Sequence, residues 1–118
     1  MGLTSAVISI SNLYNSKLRQ TDNFLVDSGA SLTVVPENIW KKLKIKPESE
    51  VFIHLANGKV LKRKTGFAKV KYLEKEVPTQ VILGESDDSK LLGVLTLEEM
   101  GLILNPLKRT LEQNEIRM

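Results

Sequence analysis

The chain has 118 residues, a length that suits one domain with its own hydrophobic core, so we expect residues 1–118 to form a single domain. Cysteine is absent, which excludes a disulfide framework, a thiolate nucleophile and a cysteine-based metal site. The net charge of +3 comes from lysines scattered among glutamates, which is typical of a solvated surface and not of a nucleic-acid site. No apolar run approaches the roughly 20 residues that cross a bilayer.

The first part of the chain is predicted to form short strands and one helix. Pro36 suits the first turn of a helix, and Ile39 and Leu43 follow at helical spacing. We therefore predict a short helix over residues 36–43. Alternating or β-branched apolar runs predict strands at residues 4–10, 23–26 and 32–35.

The second part is predicted to contain a hairpin, further strands and a second short helix. Asn57 and Gly58 give the strongest two-residue hairpin signal. Thr96 and Glu99 fit a capping box, so the second helix is predicted to begin at Thr96 and to end at Gly101. This order of elements predicts a mostly β fold. Strands are predicted at residues 51–55, 59–64, 66–72, 77–83, 102–104 and 108–111, with a buried strand or turn at 91–95.

The residue that most needs explanation is Asp27. It ends an apolar run and is followed by Ser28, Gly29 and Ala30 before another apolar run begins. An acid at the end of a buried strand is costly unless hydrogen bonds or chemistry hold it there. Asp-Ser-Gly is also a common turn sequence, so a β-domain in which these residues form only a turn stays open as an alternative.

Residues 24–30 resemble the active-site signature of aspartic proteases, and the chain resembles the retropepsin-like (retroviral-protease-like) family. Residues 91–93, Leu-Leu-Gly, followed by a predicted helix and an apolar strand, are similar to the family's apolar-apolar-Gly segment and C-terminal helix. The resemblance implies a closed, β-barrel-like acid-protease fold with one or two short helices. The site residues that it implies are Asp27 as the catalytic acid and, as supports of the active-site loop, Ser28, Gly29 and Ala30.

Aspartic-protease chemistry needs two carboxylates, and the sequence supplies the signature once. Two carboxylates that share one proton activate a water molecule and protonate the substrate. Two copies of Asp27 meet only across a two-fold axis, so the resemblance implies a homodimer that hydrolyses peptides or unfolded proteins without a cofactor. We expect this dimer in the cytoplasm, with no nucleic-acid or membrane partner. A catalytically inactive peptide-binding or protein-binding module on the same fold stays open as an alternative.

The predicted hairpin falls where the family carries the flap that covers the substrate. His54, the only histidine, is expected to be a packed or surface residue and not part of a Ser-His-Asp set. No group of His, Asp and Glu residues has metal-ligand spacing, so no metal site is predicted. The residues that the resemblance implies as substrate cover are Ala56, Asn57, Gly58 and Lys59.

Overall fold

The computed structural model describes residues 4–113 and has nine strands and two short helices within them. Residues 1–3 and 114–118 of the predicted domain lie outside the described part of the chain. No helix between residues 4 and 113 is long and apolar enough to cross a membrane. In chain order the elements are β1 (Thr4–Asn12), β2 (Arg19–Val26), β3 (Thr33–Val35), α1 (Glu37–Lys42), β4 (Ser49–His54), β5 (Val60–Tyr72), β6 (Lys75–Leu83), β7 (Leu91–Leu92), α2 (Val94–Glu99), β8 (Leu102–Asn105) and β9 (Thr110–Gln113).

Seven strands form one sheet that closes into a barrel. Their order is β1-β2-β7-β3-β6-β5-β4, and β1 also pairs with β5, so that Ile10 lies opposite Val70. β4 continues beyond the closed ring as a hairpin with the first half of β5. β8 and β9 form a separate two-stranded sheet. The predicted mostly β fold with short helices is confirmed.

Aliphatic side chains fill the barrel. β1 alternates as a half-buried strand should, with Ala6, Ile8 and Ile10 turned inward. Ile39 of α1 and the C-cap residue Leu43 pack in the same core, as their helical spacing predicts. Each fully buried Val, Leu, Ile or Phe side chain stabilises the fold by about 1.5–3 kcal/mol relative to exposure. Among the side chains with no exposed area are those of Ile8, Ile10, Phe24, Val35, Val70, Val81 and Leu92.

β5 is one continuous strand, where the sequence predicted separate strands at residues 59–64 and 66–72. The strand passes through Gly66, at which a side chain would lie 2.7 Å from the carbonyl oxygen of Lys46. A glycine within a strand often marks such a close approach of another backbone segment. The first half of β5 pairs with β4 and the second half with β1, so this strand joins the hairpin to the barrel.

α2 begins earlier than predicted. Gly93 is its N-cap, the helix starts at Val94, and no side chain caps it. Thr96 lies within the helix and is buried, so the predicted capping box of Thr96 and Glu99 is wrong. The predicted end is confirmed, because Gly101 follows the helix with φ of +69°, a conformation that favours glycine.

β9 also begins later than predicted, at Thr110 and not at residue 108. The side-chain Oδ1 of Asn105 accepts hydrogen bonds from the backbone N–H groups of Leu107 and Lys108, both at 3.1 Å. These bonds hold the intervening residues in a turn, which short Asn side chains commonly do. The turn therefore extends further along the chain than the apolar pattern indicates.

Candidate active site

The loop that carries Asp27 joins β2 to β3 and is fixed at its backbone. The N–H of Asp27 donates to the carbonyl of Leu92 at 3.1 Å, and the N–H of Ala30 donates to the carbonyl of Asp27 at 3.1 Å. Just before the loop, Val26 of β2 lies beside Leu92 of β7 in a parallel pairing. The backbone position of Asp27 therefore depends on a segment more than sixty residues further along the chain.

The carboxylate of Asp27 is oriented by Gly29. The N–H of Gly29 donates to Oδ1 of Asp27 at 2.8 Å, which is a short, charge-assisted bond. A Cβ atom at position 29 would lie 3.2 Å from the same oxygen, a tight contact, so glycine lets the amide approach without crowding the carboxylate. Asp27 is half-buried, and Ser28 and Gly29 are exposed beside it.

Beneath this loop, two buried threonines join β3 to α2. The hydroxyls of Thr33 and Thr96 lie 2.7 Å apart, and the N–H of Gly93 donates to Oγ1 of Thr33 at 3.1 Å. Both threonine side chains have no exposed area. A Cβ atom on Gly93 would lie 2.4 Å from the carbonyl carbon of Leu32, so the chain passes the loop at a distance that requires glycine.

The first turn of α2 completes the support. The N–H of Val94 donates to the carbonyl of Ala30 at 2.9 Å, and that of Leu95 donates to the carbonyl of Ser31 at 3.0 Å. Helices leave their first N–H groups without partners inside the helix. Here the active-site loop supplies two of those partners, so α2 begins at Val94 without a capping side chain.

Asp27 faces a cavity of about 650 Å³. The active-site loop forms one side of it, and the hairpin of β4 and β5 forms another. A third side is the segment over residues 84–90, which we call the acidic loop and which runs from β6 to β7. The apolar side chains that line the cavity are Ala30, Leu32, Val34, Val51, Phe52, Ile53, Leu55, Ala56, Leu61, Ile82 and Leu91.

The family model described as "gag-polyprotein putative aspartyl protease" matches residues 19–99, more than half of the chain and the span from β2 through α2. The chain belongs to this retropepsin-like aspartyl protease family. Among solved structures, the fold resembles that of EIAV protease complexed with the inhibitor HBY-793, with a TM-score of 0.68, 17% sequence identity, and 85% of this chain and 89% of that chain covered. Among curated proteins, none matches the sequence at a significant level.

The hairpin of β4 and β5 closes in the turn that Asn57 and Gly58 predict. Its turn is formed by hydrogen bonds from the N–H of Gly58 to the carbonyl of Leu55, 3.0 Å, and from that of Leu55 to the carbonyl of Lys59, 2.8 Å. Gly58 has φ of +87°, as the Asn-Gly signal predicts. Of the four residues implied as substrate cover, Ala56 lines the cavity, while Asn57, Gly58 and Lys59 lie exposed at the turn.

Two charged residues at the cavity of this aspartyl protease fold were not predicted as site residues. Nε of Arg63 donates to Oδ2 of Asp88 at 2.7 Å, and its NH2 group donates to Oδ1 at 3.1 Å. This hydrogen bond from the Arg63 guanidinium lowers the pKa of Asp88, and the same bond raises the pKa of Arg63. No sequence signal marks the pair, because the two residues are 25 positions apart and meet only through the strand order.

His54 also lines the cavity, at the end of β4, and is exposed there. Its position agrees with the expectation of a surface histidine. Between residues 4 and 113, no three His, Asp or Glu side chains are grouped so that they could hold a metal ion.

Proposed function

We propose that the chain is an aspartic endopeptidase that acts as a homodimer, with Asp27 from each copy forming the catalytic pair. The observation that carries the proposal is the carboxylate of Asp27, held at 2.8 Å by the N–H of Gly29 and facing an apolar cavity. Each chain of this family member supplies one such carboxylate. Two copies across a two-fold axis supply the pair that the reaction needs.

The proposed reaction follows from two carboxylates that share one proton. The ionised carboxylate removes a proton from water, whose oxygen attacks the scissile carbonyl carbon, while the protonated carboxyl gives its proton to the carbonyl oxygen. The tetrahedral intermediate then collapses: the protonated carboxyl gives its proton to the amide nitrogen, the C–N bond breaks, and the ionised carboxylate takes a proton from a hydroxyl of the intermediate. The amine leaves, and the pair again holds one proton. Because the pair must hold one proton, cleavage should be faster on the acid side of neutrality.

The cavity supports a peptide substrate. It is lined mainly by aliphatic side chains, which suit apolar side chains of an extended peptide. The hairpin beside it has the order and position of a flap, and such elements exclude water when they close over a substrate. A peptide or an unfolded protein is therefore the substrate class that we propose.

The Asp27→Asn variant tests this function. We expect the wild-type dimer to cleave an unfolded protein, and the variant to lose that activity by about three orders of magnitude or more, because the catalytic base is gone. Mass in solution and circular dichroism should be unchanged. Glu74→Gln, which removes an exposed carboxylate between β5 and β6, is the matched control and should keep full activity.

Three results would contradict the proposal: a protein that is monomeric at all assay concentrations, cleavage that survives in Asp27→Asn, or undiminished cleavage well above neutral pH. A dimer that binds peptides without cleaving them would favour the inactive binding module. Inhibition by pepstatin, together with loss of activity in Asp27→Asn, would exclude that alternative.

A further inference from the structure

The ion pair between Arg63 and Asp88 connects two walls of the cavity. Arg63 lies on β5, at the base of the hairpin, and Asp88 lies in the acidic loop. Their side chains are 12% and 24% exposed, and two hydrogen bonds of 2.7 and 3.1 Å join them. A bidentate contact between guanidinium and carboxylate fixes orientation as well as distance. The two side chains therefore keep the base of the hairpin at a fixed distance from the acidic loop.

The guanidinium and the carboxylate use their hydrogen-bonding groups on each other and on neighbouring protein atoms. NH1 of Arg63 donates to the carbonyl of Lys62 at 3.0 Å and lies 3.4 Å from a carboxylate oxygen of Glu85. Oδ2 of Asp88 also accepts the N–H of Glu85 at 2.7 Å. The pair is thus largely satisfied within the protein, and a charged substrate group is not needed to complete it.

The acidic loop is itself held in shape around Asp88. A side chain on Gly84 would lie 2.8 Å from Oδ2 of Asp88, so the carboxylate packs directly on the backbone there. The carbonyl of Gly84 accepts a hydrogen bond from Nε1 of Trp40 at 2.8 Å. At the other end of the loop, the carbonyl of Lys90 accepts the N–H of Leu25, two residues before Asp27, at 3.0 Å. The acidic loop that carries Asp88 is therefore linked to β2, the strand that leads into the active-site loop.

Beyond Arg63, few other side-chain contacts hold the hairpin of β4 and β5 in place. Phe52 and Val60 are 66% and 50% exposed, and the turn beyond them is exposed throughout. Lys62 and Glu50, both more than half exposed, form a contact of 3.2 Å on this hairpin, which is worth little in water. The contact between Arg63 and Asp88 is the less exposed and doubly bonded one.

We propose that Arg63 and Asp88 are positioning residues that set the width of the substrate groove, and so select among substrates by the size of the side chains beside the scissile bond. This inference rests on the proposed peptidase function. In this role the pair acts by fixing the distance between the hairpin and the acidic loop, and not by binding a charged substrate group, because its own charges are already paired. The positions of the hairpin and of the acidic loop, and not a charge in the groove, would then determine which side chains fit.

The test compares Arg63→Gln, Arg63→Lys and Asp88→Asn in the full dimer. For a peptide series that differs in side-chain size next to the cleaved bond, we expect KM of the preferred peptide to rise about tenfold in Arg63→Gln and Asp88→Asn, with kcat within about twofold. Discrimination by size should weaken in parallel. Arg63→Lys keeps the positive charge but not the two-pronged hydrogen bonding of a guanidinium. Its preference for peptides by side-chain size should therefore lie between those of wild type and Arg63→Gln.

Two matched controls lie elsewhere in the chain. Asp87→Asn changes the neighbouring exposed carboxylate, and Arg19→Gln removes a singly bonded pair with Glu76, 3.2 Å, away from the cavity. Both should keep the wild-type KM and size preference. Thermal unfolding of every variant is measured alongside, so that loss of folded protein is separated from loss of fit.

The proposal is wrong if Arg63→Gln and Asp88→Asn keep the size preference, or if kcat and apparent stability fall together while KM and the preference stay unchanged. If the wild-type protein cleaves nothing, the peptidase function fails, and the pair is judged by calorimetry with the same peptides. Selective weakening of the preferred peptide's binding in both variants would then support the positioning role, and equal binding in wild type and variants would overturn it.

Discussion

The active-site loop and the hairpin face the same cavity but are held in different ways. The loop over residues 27–32 is joined to β7 and α2 by backbone hydrogen bonds, and buried hydroxyls lie beneath it. The hairpin presents Phe52 and Val60 to solvent and is held at its base by Arg63. Under the proposed function, this difference fits a reacting carboxylate that needs a fixed position and a hairpin that needs freedom to move over a substrate. Substitutions beneath the loop should lower the stability of the whole fold, and substitutions in the hairpin should loosen the hairpin alone.

The largest effect is expected from Gly93→Ala, at the close approach beneath the loop. The new methyl group would lie 2.4 Å from the backbone of Leu32, so strand and loop must separate. We expect the free energy of unfolding to fall by about 3 kcal/mol, at the upper end of overpacking costs. Urea unfolding followed by circular dichroism measures it. Glu98→Ala, on the exposed side of α2, should change it by less than about 0.5 kcal/mol, and equal losses in both variants would contradict the comparison.

Thr96→Val should have the next largest effect. It keeps the volume of the side chain but removes the hydroxyl that lies 2.7 Å from that of Thr33. A buried polar group that loses its partner costs about 1–3 kcal/mol, and we expect a loss of about 2 kcal/mol by the same unfolding measurement.

The matched control for Thr96→Val is Thr21→Val. The hydroxyl of Thr21 lies 2.6 Å from that of Ser9, but this pair is exposed, so water replaces the lost bond. A change below about 0.5 kcal/mol is expected there. If the exposed variant proves as destabilised as the buried one, burial is not what makes the threonine pair important.

Gly58→Ala should weaken the hairpin alone. Gly58 has φ of +87° with no atom within 4 Å of an added Cβ, so the cost is backbone strain of about 1 kcal/mol. Hydrogen exchange at the amide of Leu55 should accelerate about fivefold, which corresponds to that energy. Exchange at the amide of Asp27 in the same sample is the control and should stay unchanged. Acceleration at both sites would show that the hairpin and loop open together.

The smallest effect concerns pH. A hydrogen bond from Lys90 lowers the pKa of Asp22, and one from Arg63 lowers the pKa of Asp88. The stability that these two ionised carboxylates add to the fold is complete above the ordinary aspartate pKa of 3.8. It is lost as the pH falls through their lowered pKa values. We expect unfolding free energy to decrease below pH 3.8, and Asp88→Asn to flatten that decrease. A decrease as steep in Asp88→Asn as in wild type would contradict the assignment.

The features that the sequence predicted are those encoded by neighbouring residues. Residues 27–30 form the expected loop because its central bond joins Asp27 to Gly29, two positions on. Asn57 and Gly58 form the expected turn for the same reason, as does Gly101 at the end of α2. In each case a local backbone requirement selects the residue type.

The features that it missed depend on residues brought together by strand order. Thr96 and Thr33 are 63 positions apart, and the local capping pattern at Thr96 was outweighed by this buried contact. Arg63 and Asp88 are 25 positions apart, one on β5 and the other in the acidic loop. No rule of spacing joins them, since β5, β6 and the acidic loop must first take their places in the barrel.

The fluorescence of the single tryptophan reports on the surroundings of the acidic loop. The indole N–H of Trp40 donates to the carbonyl of Gly84, at the point where the carboxylate of Asp88 packs on the backbone. Since the chain has one tryptophan, its emission comes from this place alone. Rearrangement of the loop when a peptide enters the groove would alter the polarity around the indole. Substrate binding could thus be followed by intrinsic fluorescence, without any label on protein or peptide.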